Sequence, residues 1–370
     1  MRIVAVFGTR PEAIKMAPVL SRLSKVPGIQ LQVCVTSQHR QMLDQVLEVF
    51  GITPTWDLDV MRAGQGLTYI TTSVLDGVHR ILRDERPDRV LVQGDTTTTM
   101  AASLAAFYEK VPVGHIEAGL RTRNMFSPWP EEMNRRLTSI VADLHFAPTE
   151  GAKRNLLAEG VDPGRITVTG NTVIDALFDA IAILDRDPVR LATVEAELPH
   201  LAPHRRVILV TGHRRENFGG GLERVARALL RLASRGDVEI VFPVHLNPNV
   251  QGIMHEVLGG HSAIHLIKPL DYLPFVQMMR KASLIITDSG GVQEEAPSLG
   301  KPVLVTRDTT ERPEALEAGT VELVGTDSDL LFQRATRLLD DEAAYTAMCR
   351  AHNPYGDGRA AGRIVEVLTP

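Results

Sequence analysis

Short runs of apolar, often β-branched residues alternate with longer stretches of helical period along almost the whole chain. In the first half the runs predict strands at Arg2–Phe7, Gln30–Thr36, Arg89–Gln93, Val113–Ile116, Leu144–Ala147 and Ile166–Val168. In the second half they predict strands at Arg206–Thr211, Glu239–Pro243, Ile264–Ile267, Leu284–Thr287 and Pro302–Val305. Strands that are apolar throughout, each followed by a helix, belong to parallel sheets covered on both faces. The class is therefore α/β, built on doubly wound sheets.

The arrangement occurs twice. Ile3-Val4-Ala5-Val6-Phe7-Gly8-Thr9-Arg10 opens the first half, and Val207-Ile208-Leu209-Val210-Thr211-Gly212-His213-Arg214 opens the second with the same order of strand, Gly, polar residue and Arg. The stretch from Asp185 to Arg205 is rich in Pro, His and charge, has little apolar period, and reads as a surface connection within the second domain. The expected division is residues 1–170 plus 355–370 for an N-terminal Rossmann-like domain and 171–354 for a C-terminal one. The final helix, Arg359–Leu368, is expected to fold back onto the first domain after the break at Asn353-Pro354-Tyr355-Gly356-Asp357-Gly358.

Composition narrows the function classes. A chain of 370 residues is long for one core, which agrees with two domains. A net charge of −5 supplies no basic face, so nucleic acid is not an expected partner. The two cysteines, Cys34 and Cys349, form neither a disulfide framework nor a zinc spacing, which suits a reducing cytoplasm. The first apolar run, Ile3 to Phe7, is too short for a signal segment or a membrane span, and no later run is longer. A cytoplasmic protein without membrane partners is expected.

Two groups of residues carry candidate chemistry. The first is cationic and lies at strand ends. In Asp288-Ser289-Gly290-Gly291-Val292-Gln293-Glu294-Glu295 a strand passes through a Gly-Gly turn into a helix, which aims backbone N–H groups and a helix dipole at a phosphate position. In Gly8-Thr9-Arg10-Pro11-Glu12-Ala13-Ile14-Lys15 a capping box explains Thr9 and Glu12, and a first helical turn suits Pro11. Arg10 and Lys15 oppose the dipole unless a polyanion offsets them. His213-Arg214-Arg215 occupies the matching place in the second half. The alternatives, a Gly-Gly turn serving only chain geometry and a solvated turn at Arg215, remain open at this level.

The second group is acidic. Asp95 and Glu117 end the strands Val90-Leu91-Val92-Gln93 and His115-Ile116, and Glu131 follows Pro130 at a helix start. Clustered carboxylates raise one another's pKa and become usable acids and bases near neutral pH. Each has a plainer reading: Asp95 as a helix cap, Glu131 as a first-turn acid favoured by the dipole. Several sharper motifs are absent. No G-x-G-x-x-G follows a strand, Gly300-Lys301 lacks the rest of a P-loop, His255-Glu256 is followed by Gly259 where a zincin has its second His, and no G-x-S-x-G elbow occurs. No cofactor and no metal are expected.

Taken in order, Gly8 to Lys15, Gly94-Asp95-Thr96, His115 to Arg121, Pro130 to Arg135, Gly212 to Asn217, Asp288 to Ala296 and Arg307 to Glu314 resemble the non-hydrolysing UDP-N-acetylglucosamine 2-epimerases, over effectively the whole chain. The resemblance implies a GT-B architecture with the active site in a cleft between two Rossmann-like domains, and a homodimer. It implies reversible conversion of UDP-N-acetylglucosamine (UDP-GlcNAc) to UDP-N-acetylmannosamine (UDP-ManNAc). It also implies that Asp95, Glu117, Glu131 and His213 do the chemistry, and that Arg10, Lys15, Ser289, Gly290, Gly291, Glu295 and Arg312 hold UDP. Glu295 would take the ribose hydroxyls and Phe275 would lie by the uracil. Some members carry a second, activating UDP-GlcNAc site, which Gln38 and Gln41 resemble in part; an Arg of that site is Gly64 here. A hydrolysing relative, a GT-B glycosyltransferase and a non-catalytic UDP-sugar sensor are the competing classes. The three acids speak against a sensor, which needs only the nucleotide grip.

Overall fold

A computed structural model describes residues 1–37, 40–62, 64–212, 220–310 and 312–369, without the side chains of residues 40–42 and 249. Among the described residues the chain groups into two compact units, Met1–Asp179 with Tyr355–Pro370, and Ala180–Pro354.

The first unit holds a sheet of seven strands among the described residues: β1 (Arg2–Phe7), β2 (Gln30–Val35), β3 (Trp56–Asp57), β4 (Arg89–Gln93), β5 (Val113–Ile116), β6 (Leu144–Ala147) and β7 (Ile166–Val168). All are parallel, in the order β3-β2-β1-β4-β5-β6-β7. The second unit repeats the plan with six: β8 (Arg206–Thr211), β9 (Val238–Pro243), β10 (Ile264–Ile267), β11 (Leu284–Thr287), β12 (Val303–Val305) and β13 (Val321–Leu323), in the order β10-β9-β8-β11-β12-β13. Ile3 to Phe7 of β1 are wholly buried, as a central strand packed by helices on both faces demands. In the second unit Ile208, Val210, Leu229, Leu232, Phe242, Ile286 and Leu304 make the equivalent core. Both sheets reverse their winding at the central pair, β1/β4 and β8/β11. In open parallel sheets the crevice beyond the carboxyl ends of such a pair is where ligands bind.

Eleven expected strands are present, with ends that move by one residue at β2, β9 and β12. Two were not expected. β3 and β13 are edge strands of two and three residues, too short to show an apolar run. The passage between units also differs from the expected 170/171. The helix Thr172–Arg186 stays with the first unit as far as Asp179. Its buried Asp175 carboxylate accepts the N–H groups of Ala360 and Ala361, both at 3.0 Å, and so fixes the start of the last helix, Ala360–Leu368. That helix packs on the helix Arg10–Leu23. Among the described residues no helix is long and apolar enough to cross a membrane.

Candidate active site

In the first unit the turns after β1 and β4 are stitched by one buried acid. Glu12 Oε2 accepts the N–H groups of Gly8 (3.0 Å) and Thr9 (2.8 Å), and Oε1 accepts the hydroxyls of Thr96 (2.6 Å) and Thr99 (3.1 Å). Burial lifts its carboxyl above the ordinary range, against the hydrogen bonds from Thr96, Thr9 and Gly8. The capping role that the sequence suggests for Glu12 thus extends to a brace between the two strand ends.

Asp95 follows directly. The cap of the helix Thr97–Tyr108 is Thr96, whose hydroxyl accepts the Thr99 N–H at 3.1 Å, so Asp95 is not the cap. Its carboxylate Oδ2 accepts from Arg135 Nη2 at 2.6 Å, and its carbonyl accepts from Asn134 Nδ2 at 3.0 Å. Burial raises the Asp95 carboxyl above its usual range; Glu117 and Glu131 add to this, while Arg135 and Lys15 oppose it. A carboxyl placed between two acids and two cations in this way can hold or release a proton nearer neutrality.

Glu117 sits beyond β5 with φ +65°, a left-handed conformation that costs a non-glycine residue about 1–3 kcal/mol. Three side chains hold it there. Lys15 Nζ and Asn171 Nδ2 donate to Oε1 at 2.5 and 2.9 Å, and Gln93 Nε2 donates to Oε2 at 2.6 Å. Gly94, at φ +73°, faces it so closely that a Cβ there would lie 3.4 Å from Glu117 Oε2. Beneath them His115 shares a hydrogen with the Gly94 carbonyl at 2.7 Å, and burial pushes its pKa down to about 3. The imidazole is therefore neutral and donates through Nε2.

Of the pair at the start of the helix Glu131–Val141, Glu132 is structural: it is wholly buried and accepts the N–H groups of Thr122 (3.0 Å) and Arg123 (3.1 Å), with Arg135 at 3.5 Å. Glu131 differs. Its Oε2 is buried without a hydrogen-bond partner, a costly state that first-turn placement does not explain.

In the second unit the turn after β11 leads from buried Asp288 through Ser289 into the six-residue helix Gly290–Glu295. Ser289 N–H donates to Thr287 Oγ1 at 2.9 Å. The Arg312 guanidinium lies close to Gly290: a Cβ there would stand 2.9 Å from its carbon. Arg312 Nε in turn donates to buried Glu294 at 2.9 Å. Around Gly291, an added Cβ would meet Glu295 Oε2 at 3.8 Å and Ser289 Oγ at 4.0 Å. Tyr272 OH lies 3.5 Å from Glu295 Oε1, and half-buried Phe275 stands one turn further along the same helix, Tyr272–Lys281.

The structure thus gathers Asp95, Glu117, Glu131 and Lys15 within the first unit, and Ser289, Gly290, Gly291, Glu295 and Arg312 within the second. Lys15, expected on UDP, has its ammonium on Glu117; a lysine in the first turns of a helix opposes the dipole, and this carboxylate offsets it. Arg10 is partly exposed and, among the described residues, has no ion-pair partner. His213 and Gln38 lie outside the described residues, as does the side chain of Gln41. Gly64 has φ +69°, a conformation in which an Arg would be strained. Sequence reasoning missed Gln93, Asn134, Arg135 and Asn171 as members of the site. Only Arg135 carried a signal, standing four positions beyond Glu131 and hence on its helix face.

A family model described as UDP-N-acetylglucosamine 2-epimerase matches residues 21–369. UDP-N-acetylglucosamine 2-epimerase of Escherichia coli strain K12 is 57% identical over 370 residues, covering 100% of this chain and 98% of that protein. The enzyme of the same name from Salmonella typhimurium is 58% identical over 374 residues, again covering 100% and 98%. The crystal structure of UDP-GlcNAc 2-epimerase from Neisseria meningitidis bound to UDP-GlcNAc has 52% identity and a TM-score of 0.92, covering 100% of this chain and 99% of that one.

Proposed function

Since this chain belongs to the UDP-N-acetylglucosamine 2-epimerase family, we propose that it interconverts UDP-GlcNAc and UDP-ManNAc by eliminating and re-adding UDP without releasing it. The C2 proton of the sugar lies beside no carbonyl of the carbon skeleton, so its simple removal would leave an unstabilised carbanion. Breaking the C1–O bond removes that difficulty. UDP leaves with the bonding pair, a base takes the C2 proton, and 2-acetamidoglucal forms. Re-addition of UDP at C1 with a proton delivered to the other face of C2 inverts that carbon. The cycle is redox-neutral and begins and ends with the same groups.

The observation that carries this reading is the trio Asp95, Glu117 and Glu131 in one unit, with Asp95 raised by burial and Glu131 Oε2 left without a partner. Asp95 and Glu131 then move the C2 proton, one on each face, while Glu117 is held by Lys15, Gln93 and Asn171 to orient the ring hydroxyls. Arg10, His213 and the turn Ser289-Gly290-Gly291 with Arg312 take the charge developing on the departing diphosphate. One such electrostatic donor is commonly worth about two to three orders of magnitude in rate. Glu295 accepts from the ribose and Phe275 packs by the uracil. Excluding water while the glucal exists separates an epimerase from a hydrolase.

NMR of UDP-GlcNAc incubated with the protein tests the reading. UDP-ManNAc should grow to a constant ratio with no accumulation of free UDP. Release of UDP and free N-acetylmannosamine would make the protein a hydrolase, and an unchanged spectrum would end the proposal.

A further inference from the structure

The turn between β7 and the helix Thr172–Arg186 looks like a plain connection in the sequence, yet it converges on the acidic site. Asn171 is 2% exposed and uses three groups for three purposes. Its Nδ2 donates to Glu117 Oε1 at 2.9 Å. Its Oδ1 accepts the Val173 N–H at 3.1 Å, closing the first turn of the helix that carries the chain out of the first unit. Its backbone N–H donates to the carbonyl of Tyr355, the residue at which the chain re-enters that unit, at 2.6 Å. The preceding Gly170 has φ +88°, and a Cβ on it would come within 3.3 Å of Gly356 Cα and 3.4 Å of the Tyr355 carbonyl. The two passages of the chain are therefore pressed together at a side chain that also reaches Glu117.

We propose that Asn171 is a positioning residue for the reaction, one that holds the Glu117 carboxylate in its left-handed turn and registers it against both chain passages. A buried amide is suited to this. It supplies a donor to the carboxylate and an acceptor to the helix at once, which neither Ala nor a longer side chain can do. A neutral amide donor also favours the charged form of a carboxylate without adding a competing cation. Among the described residues, the charged and titratable groups facing Glu117 include Lys15 from the helix Arg10–Leu23, Asp95 from the turn after β4, and His115 on its own strand.

The inference rests on the functional reading above, and two substitutions test it. Asn171→Asp keeps an oxygen to accept from Val173, since Asp starts helices as well as Asn does, but turns a like charge on Glu117. Asn171→Ser keeps a cap and is too short to reach the carboxylate. Asn171→Ser should keep its melting temperature within about 3 °C, and both variants should keep the parent KM for UDP-GlcNAc while kcat at pH 7 falls about tenfold or more. In Asn171→Asp the acid limb of the kcat profile should also move up by about one pH unit, and a merely structural role would not move that limb. If Asn171→Asp does not fold, Asn171→Ser decides alone through its kcat-against-KM split. Variants with the parent kcat and pH profile would overturn the proposal. An unsubstituted protein that leaves UDP-GlcNAc unchanged would overturn the functional reading instead.

Discussion

Asp95→Asn should lower kcat by about three orders of magnitude, within the range that a positioned acid or base supplies, while the affinity for UDP stays close to that of the unsubstituted protein. The separation follows from where the parts lie. Asp95 belongs to the first sheet and touches Arg135 and Asn134, whereas the residues assigned to the nucleotide, Ser289 to Gly291, Glu295 and Arg312, belong to the second. Asn keeps an oxygen to accept from Arg135 Nη2, so the local hydrogen bond survives, but an amide cannot take or give the C2 proton. Steady-state rates together with calorimetric titration of UDP check both halves. Turnover within a few-fold of the parent would remove Asp95 from the chemistry.

Arg312→Met should damage both stability and nucleotide binding. The guanidinium lies against the backbone of Gly290 and donates to Glu294, which is 2% exposed. Removing the cation from such a pair costs on the order of 3 kcal/mol. Loss of a charge-assisted bond to the diphosphate should weaken UDP binding by about tenfold to a hundredfold. Arg312→Lys separates the effects: it restores a cation for Glu294 but not the planar fork, so stability should recover more than affinity. Chemical denaturation and UDP titration of the two variants measure this. UDP binding unchanged in Arg312→Met would place the diphosphate elsewhere.

The central strands were legible because fully buried parallel strands are apolar along almost their whole length, and Ile3 to Phe7 or Leu284 to Ile286 suit the middle of a sheet covered on both faces. The edge strands Trp56–Asp57 and Val321–Leu323 were not, because pairing on one side alone asks little of their side chains. Asp95, Glu117 and Glu131 could be picked out because each follows a strand or opens a helix in an otherwise apolar frame. Their supporting residues could not. Asn171 and Lys15 reach Glu117 across 54 and 102 positions of sequence, and such pairings are set by the β1-β4-β5-β6-β7 order, which local pattern does not encode. The separate fates of Glu131 and Glu132 had the same origin. Adjacent acids on one helix turn look alike in sequence, and only the Thr122–Arg123 loop makes the second a brace.

Running the conversion in deuterium oxide tests the proton transfer at C2 more directly than any substitution. If one carboxylate of the Asp95–Glu131 pair removes that proton as base and the other, as the solvent-exchanged acid, returns one from the opposite face, UDP-ManNAc should form with one deuterium at C2, and UDP-GlcNAc recovered at equilibrium should carry it as well. Product that retains its original hydrogen at C2 under full conversion would contradict the acid-mediated elimination and re-addition of UDP.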